Sequence, residues 1–183
     1  MNSLELKKMT KTIWLTGLSG AGKSTLAKAL AVDLLQKGRP CYIVDGDELR
    51  SGLCSDLRFS REDRGENIRR AAEVCRLLNA ANVVAIAALI SPYQQDREKA
   101  RHIVGAQAFQ EVWVSTSLAV CEQRDVKGLY KRARSGELAS FTGISDLYES
   151  PRAPILALDT HMLSVADCVK QLNKLIELEG PWE

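Results

Sequence analysis

The stretch Thr16-Gly17-Leu18-Ser19-Gly20-Ala21-Gly22-Lys23-Ser24-Thr25 decides how the chain folds. An apolar run, 13–15, precedes it and indicates a short buried strand, and a run with helix-forming composition, 26–31, follows it. This order of strand, G-x-x-x-x-G-K-S and helix is that of a P-loop. Because its glycines allow successive amides to turn toward phosphate oxygens, the stretch predicts binding of a nucleoside triphosphate.

The side chains of the loop have predicted roles toward ATP and Mg²⁺. Lys23 supplies a charge for the terminal phosphates, Ser24 supplies a hydroxyl for Mg²⁺, and the helix that follows directs its positive end at the same anion. A glycine-rich turn that matches by accident is the alternative. The predicted ATP-binding residues of the loop are Gly17, Leu18, Ser19, Gly20, Ala21, Gly22, Lys23, Ser24 and Thr25.

Composition limits the class of protein. The chain has 183 residues, of which 45% are hydrophobic and 26% charged, so we expect one globular domain over 1–183. A net charge of +2 does not suggest a nucleic-acid or membrane partner. The five cysteines lack metal-ligand spacing and are expected to be core residues or free thiols. With a polar N-terminus and no long apolar run, we expect a soluble, cytoplasmic protein.

Strand-like and helix-like segments alternate along the chain. This alternation predicts an α/β protein with a three-layer P-loop NTPase fold, in which helices cover both faces of a parallel five-stranded sheet. A closing helix is predicted over 164–178. The four further strands are predicted at 41–44, within the apolar run 82–90, at 111–114 and at 156–158.

Two aspartates, Asp45 and Asp47, stand at the carboxyl end of the second predicted strand, the edge where open α/β sheets bind ligands. They could simply form a turn and cap the helix that begins near Glu48. Beside a P-loop, however, a carboxylate can accept the proton of an incoming hydroxyl or hold Mg²⁺ through water. Asp45 and Asp47 are therefore both candidates for these roles.

The charged segment 60–70 opens a helix whose apolar stripe consists of Ile68, Ala71, Cys75 and Leu78. At 3.6 residues per turn, this stripe extends backward to Arg64, with Asn67 alongside it. Both residues could belong to a helix end that frays past the core. The functional interpretation is that they line the substrate cleft, where Arg64 would pair with an anion and Asn67 would hydrogen-bond a polar group.

The third predicted strand presents Ile90 and Ser91 to the same cleft. Ser91 could owe its position only to the proline that follows it.

The segment from about 124 to 147 predicts a lid. Lys127, Lys131 and Arg134 would share one helical face, for which a solvated basic helix is the ordinary interpretation. The glycine-punctuated continuation to Phe141 instead favours a segment that closes over bound phosphates and excludes water. Closure would bring Arg124, Lys127 and Phe141 onto the ligands.

Taken together, these pieces resemble the adenylyl-sulfate kinases, which use ATP to phosphorylate the 3′-hydroxyl of adenosine 5′-phosphosulfate (APS). The resemblance extends from Ile13 to about Asp159. It is carried by the P-loop and by Asp45-Gly46-Asp47 with Arg50, Phe59-Ser60, Asp63-Arg64, Glu66-Asn67-Ile68-Arg69-Arg70, Ile90-Ser91-Pro92-Tyr93, Cys121-Glu122, Arg124-Asp125, Lys127-Gly128-Leu129-Tyr130 and Phe141-Thr142-Gly143-Ile144.

The resemblance implies a role for each matching residue. Asp47 would contact the acceptor hydroxyl, Phe59 and Phe141 would enclose the adenine of APS, and a homodimer is expected. Ser91 stands where the family carries a phosphoserine annotation, but direct in-line transfer needs no such intermediate. The remaining implied substrate contacts come from Arg50, Arg64, Asn67, Ile90, Lys127, Gly128 and Leu129.

The chain departs from the family pattern at Glu48, where asparagine is usual, at Arg58, and at 145–147. The first departure leaves open a related acceptor, such as another adenylyl or cytidylyl anhydride. A nucleotide-dependent switch is a further alternative, because Asp125-Val126-Lys127-Gly128 fits the D-x-x-G of GTPases, although no Asn-Lys-x-Asp signature accompanies it.

Overall fold

Strand β1 occupies the centre of a five-stranded sheet in the computed structural model, which describes residues 10–177. The strand order is β2-β3-β1-β4-β5, and every pairing is parallel, as predicted. All five carboxyl ends therefore meet at one edge. The strands are β1 (Thr12–Thr16), β2 (Cys41–Asp45), β3 (Val84–Ala88), β4 (Phe109–Val114) and β5 (Leu156–Leu158).

Helices connect the strands, and some of them begin at serine caps. The Ser60 hydroxyl accepts the amide of Asp63, and Ser117 accepts the amide of Val120, so each serine satisfies a free amide of a first turn. The last residue of the predicted closing helix, Leu178, lies outside the described residues. The helices are α1 (Lys23–Gln36), α2 (Gly46–Ser51), α3 (Arg61–Ala80), α4 (Gln94–Val104), α5 (Leu118–Arg124), α6 (Leu129–Arg134) and α7 (Val165–Glu177).

The sheet separates two apolar clusters, which confirms that both of its faces are covered. Successive residues of β1 alternate between them, because side chains of a strand point to opposite faces. Ile13 and Leu15 pack with α1 and α7, whereas Trp14 packs with α3 and α4. Ile68, Ala71 and Cys75 belong to the second cluster, so the predicted stripe of α3 does face the core.

The expected helical face of Lys127, Lys131 and Arg134 is wrong. Helix α5 ends at Arg124, and Asp125 has a left-handed φ of 25°. Gly128, with a φ of 65°, then caps α6. Lys127 therefore lies in the link between two helices, while Lys131 and Arg134 belong to α6.

The carboxylate of Asp125 explains the D-x-x-G pattern. Its two oxygens accept the amides of Tyr130 and Lys131 at 2.9 and 3.0 Å, so it satisfies free amides in the first turn of α6. In this chain, the spacing of Asp125 and Gly128 therefore serves to begin α6.

Two further predictions concern thiols and membranes. All five cysteines are free, and four of them are buried, as expected for core residues. Within residues 10–177, no helix combines the length and apolarity needed to span a bilayer.

Candidate active site

The phosphate loop, residues 16–25, leaves β1 through Gly17. A Cβ at this position would stand 2.6 Å from the Val114 carbonyl oxygen, so only glycine fits between β1 and β4. Lys23 begins α1, is 8% exposed, and donates to the carbonyls of Gly17 and Leu18 at 2.9 and 2.7 Å. Burial is the main cause that lowers the pKa of this lysine to about 8.

The amides of the loop are suited to an anion. Among the described residues, no protein group accepts the amide of Gly20 or of Gly22, whereas the amide of Ala21 donates to the Leu18 carbonyl at 3.2 Å. Amides left free beside a lysine at a helix start can bind phosphate oxygens. The geometry therefore fits a nucleotide triphosphate chain.

Asp45 ends β2 and contacts two parts of the site. Its Oδ2 accepts the Ser24 hydroxyl at 2.8 Å, and its Oδ1 accepts the Asp47 amide at 2.9 Å, which caps α2. The geometry shows the predicted helix cap, and it also places this carboxylate beside Ser24 of the P-loop. Ser24 and Asp45 are oxygen donors of the kind that Mg²⁺ prefers, and the ion would take its other oxygens from nucleotide and water.

Asp47 is exposed and forms an ion pair with Lys127 of the lid. The neighbouring Glu48 is also exposed, but it does not line the cavity that Asp47 lines. The departure from the family pattern at Glu48 therefore lies outside the wall of the site.

Arg64 and Asn67 are 8% and 5% exposed and line the cavity, which agrees with their predicted inward orientation. The Arg64 guanidinium donates through Nε to the Phe59 carbonyl at 3.0 Å. Its Nη1 donates to the Thr142 hydroxyl at 2.9 Å and its Nη2 to the Ser140 carbonyl at 2.7 Å. Arg64 thus joins the backbone at Phe59 to both neighbours of Phe141. The Oδ1 atom of Asn67 is buried without a hydrogen-bond partner among the described residues.

Phe59 and Phe141, the two aromatic residues predicted to enclose the adenine of APS, differ in exposure. Phe59 is 60% exposed, and the guanidinium of Arg50 lies 4.4 Å from its ring centre. Phe141 is 9% exposed and packs edge-on against Tyr130, with ring centres 5.0 Å apart. A flat heterocycle can stack on such rings.

Ser91 is held in a buried turn after β3. It is 1% exposed and has a left-handed φ of 45°. Trp14 Nε1 donates to its hydroxyl at 3.0 Å, and Arg97 Nη1 donates to its carbonyl at 2.7 Å. The Ile90 carbonyl accepts the Thr16 hydroxyl at 2.7 Å. No lysine or histidine among the described residues hydrogen-bonds the Ser91 hydroxyl.

One cavity of about 1270 Å³ gathers most of the predicted residues. Four of them, Gly17, Leu18, Ala21 and Gly128, do not line it. Those that do are Ser19, Gly20, Gly22, Lys23, Ser24, Thr25, Asp45, Asp47, Arg50, Phe59, Arg64, Asn67, Ile90, Ser91, Arg124, Lys127, Leu129 and Phe141.

Sequence reasoning missed several residues that support this cavity. Arg97 is 1% exposed and pairs with Glu111 at 2.8 Å, and nothing in the charged sequence of α4 distinguishes it from a surface arginine. Asp146 accepts the Tyr93 hydroxyl at 2.9 Å. Thr160 contacts the phosphate loop, and its place just after β5, at the ligand-binding edge of the sheet, could have revealed it.

A model of the family described as adenylylsulphate kinase matches residues 9–159. The chain belongs to this family. The adenylyl-sulfate kinase of Prochlorococcus marinus is 52% identical over 167 residues, covering 91% of this chain and 83% of the relative.

Solved structures of adenylyl-sulfate kinases share the fold. The Mycobacterium tuberculosis APS kinase CysC, in complex with AMPPNP and APS, aligns with a TM-score of 0.89 and 43% identity over 92% of this chain and 98% of that one. A hexameric APS kinase from Thiobacillus denitrificans aligns with a TM-score of 0.70 and 34% identity, covering 95% of this chain but 30% of that one.

Proposed function

We propose that this chain transfers the γ-phosphoryl group of ATP to the 3′-hydroxyl of APS, giving 3′-phosphoadenosine 5′-phosphosulfate and ADP. One observation carries the proposal: a single cavity is lined both by the phosphate loop and by the acceptor residues Phe59, Arg64, Asn67 and Phe141. A kinase needs both substrates in one water-excluding space, because transfer to an alcohol competes with hydrolysis.

The ATP side of the reaction would use the loop amides and three side chains. The free amides of Gly20 and Gly22 bind phosphate oxygens, and Lys23 exchanges its two carbonyl acceptors for phosphate oxygens. Ser24 and Asp45 would hold Mg²⁺. When bound, this ion neutralises charge that develops on the phosphates. The residues therefore supply positioning and electrostatic stabilisation, which phosphoryl transfer chiefly requires.

On the acceptor side, Asp47 takes the proton of the 3′-hydroxyl as the oxygen bonds to the γ-phosphorus and the bond to the ADP oxygen breaks. Phe59 and Phe141 stack on the adenine, Arg50 and Arg64 pair with the phosphosulfate, and Asn67 accepts or donates through its buried amide.

The carbonyls of Ile90 and Ser91 are fixed by Thr16 and Arg97, so these two residues form a rigid wall for the acceptor. The Ser91 hydroxyl accepts from Trp14, and no lysine or histidine in residues 10–177 hydrogen-bonds it as a general base would. We therefore favour direct transfer over a phosphoserine intermediate.

The lid residues would close the site. Lys127 reaches Asp47, while Arg124 and Leu129 line the same cavity. Gly128 lies off the wall and has the left-handed φ that starts α6, so its contribution is conformational. Residues 124–147 thereby exclude water once both substrates are bound.

A coupled assay with Asp47→Asn tests this function, and Glu48→Gln is the matched control. With ATP, Mg²⁺ and APS, the protein should release ADP and form a 3′-phosphorylated product. Asp47→Asn should lower kcat by about 10²- to 10⁴-fold, and Glu48→Gln should not. ADP release that depends on another nucleotide anhydride but not on APS would reject APS as the acceptor. Hydrolysis stimulated by a protein rather than by APS would instead support a nucleotide switch.

A homodimer remains our proposal for the assembly, on the strength of the family resemblance alone. Light scattering of the purified chain at several concentrations should give twice the monomer mass. A mass of six chains would instead indicate a hexamer, the assembly of the APS kinase from Thiobacillus denitrificans.

A further inference from the structure

Two threonine hydroxyls and one guanidinium bind the carbonyl groups of the phosphate loop. Thr160 Oγ1 donates to the Ala21 carbonyl at 2.8 Å, and Thr116 Oγ1 reaches the same carbonyl at 3.3 Å. The two hydroxyls lie 2.9 Å apart. Arg124 donates to Thr160 Oγ1 at 2.8 Å, to the Thr160 carbonyl at 3.0 Å and to the Gly20 carbonyl at 3.3 Å.

These bonds form a series in which Arg124 of the lid donates to Thr160, and Thr160 donates to the phosphate loop. Thr160 has a single hydroxyl proton, which it gives to Ala21, while its oxygen accepts from the charged Arg124. A cationic donor polarises the hydroxyl and strengthens the bond that the hydroxyl makes in turn. The Ala21 carbonyl is therefore held firmly, although Thr160 is 139 residues away in the chain.

The orientation of the Ala21 carbonyl sets that of the Gly22 amide, because both groups belong to one planar peptide unit. The chain contains no cis peptide bond in its described part, so the Ala21 carbonyl and the Gly22 amide point in opposite directions. With the carbonyl bound by Thr160, the Gly22 amide faces away from that threonine. This amide has no protein acceptor among residues 10–177, and Gly22 lines the cavity.

We propose that Thr160, supported by Thr116 and Arg124, is a positioning residue for the phosphates of ATP: its hydroxyl turns the Ala21–Gly22 peptide so that the Gly22 amide donates to a phosphate oxygen. The proposal rests on ATP as the phosphoryl donor and not on the identity of the acceptor. In this proposal Arg124, the first residue of the lid, helps to set the conformation of the phosphate loop through its bond to Thr160.

Thr160→Val is the decisive variant because it removes the hydroxyl and keeps the shape. Its second methyl group replaces the oxygen, while the Thr160 Cγ2 position that lies 3.1 Å from a Cβ built on Gly22 stays filled. Thr160→Ser is the matched control, since it keeps the hydroxyl. Titration calorimetry with AMPPNP and Mg²⁺ measures donor affinity without any acceptor, so a failure of APS chemistry would leave this test readable.

We expect Thr160→Val to weaken AMPPNP binding about 10- to 100-fold, because this loss corresponds to the free energy of one charge-assisted hydrogen bond. Thr160→Ser should stay within about twofold, and the KM for ATP should rise in Thr160→Val while the KM for APS does not. Thr116→Val, whose bond is longer, should show a smaller loss of the same kind and serves if Thr160→Val does not fold. Unchanged AMPPNP affinity in the valine variants, or an equal loss in Thr160→Ser, would overturn the proposal.

Discussion

The phosphate loop and the lid line the same cavity, yet they are held in different ways. The loop is fixed by close backbone packing, as at Gly17, and its carbonyls accept hydrogen bonds from Lys23 within the loop and from Thr160 outside it. The lid is fixed by side chains that reach it from elsewhere, chiefly Arg64 and Asp47, the partner of Lys127. The groups that face the phosphates therefore come from one short motif, with Thr160 as an added support, whereas the proposed acceptor half is assembled from residues distant in sequence.

Lys23→Met should break the donor half most severely. The variant removes the only side-chain charge within the phosphate loop, so we expect kcat/KM for ATP to fall by about 10³-fold or more. The coupled assay measures this loss, and Lys28→Met, an exposed change on the same helix, should leave activity unchanged. Comparable losses in the two variants would mean that the effect is not local to the loop.

Arg64→Lys tests how far the lid depends on one side chain. A lysine keeps the charge but cannot reproduce the three directed bonds to Phe59, Ser140 and Thr142. We expect the KM for APS to rise about 10- to 100-fold, with little change in AMPPNP affinity. Arg69→Lys is the control, because Arg69 lies exposed on the same helix and pairs only with acidic neighbours. A matching rise in the KM for ATP would contradict the separation of the two halves.

The lowered pKa of Lys23 predicts a pH dependence confined to the donor half. Phosphate binds the protonated lysine, and above the pKa of about 8 the free protein has lost that proton. Because nucleotide binding then requires Lys23 to take up a proton from solvent, AMPPNP affinity should fall about tenfold between pH 7 and pH 9. Calorimetry at several pH values measures this slope, which Lys23→Met should abolish. A wild-type slope that survives in the variant would assign the titration to another group.

The lowered pKa of Lys23 also affects the free energy of unfolding, which should rise with pH, whereas AMPPNP affinity falls. The pKa of Lys23 is lower in the folded protein than its ordinary 10.5, so the unfolded chain binds more protons between about pH 8 and 10.5. The contribution of this residue to the free energy of unfolding therefore rises with pH across that window in the nucleotide-free protein.

Ser91→Ala should have the smallest effect on turnover. Its hydroxyl accepts from Trp14 and is not needed for direct transfer, so kcat should stay within about threefold. Stability should fall by about 1 to 3 kcal/mol, because the buried Trp14 N–H loses its acceptor. Steady-state kinetics and thermal unfolding measure the two effects. A phosphorylated wild-type protein in intact-mass spectra, together with an inactive variant, would restore the covalent route.

The parts of the structure that the sequence predicted well are those with local signals. The order of strand, glycine loop and helix located β1 and α1, and the 3.6-residue period placed Arg64 and Asn67 on the inner side of α3. The five parallel strands followed from the alternation of elements. In each case, the residues that decide the structure are close together in the chain.

The failures involve partners that are far apart in sequence or conformations that override periodicity. Asp125 and Gly128 adopt left-handed conformations, which divide the expected basic helix and remove Lys127 from it. Arg97 is buried because Glu111 and the Ser91 carbonyl accept its hydrogen bonds, and neither is evident from the composition of α4. Thr160 contacts the loop although it follows β5, the last strand in the chain, and lies 139 residues from Ala21.

The carboxylate of Asp45 binds a hydroxyl on the ATP side of the site with one oxygen and the amide of Asp47 with the other. The separation between the Ser24 hydroxyl and the Asp47 amide is therefore set by the dimensions of a single rigid group. This arrangement is made by groups of the folded chain itself. Much of the entropy cost of aligning the phosphoryl group with its acceptor is thus met when the protein folds, and the binding energy of the two substrates need not supply it.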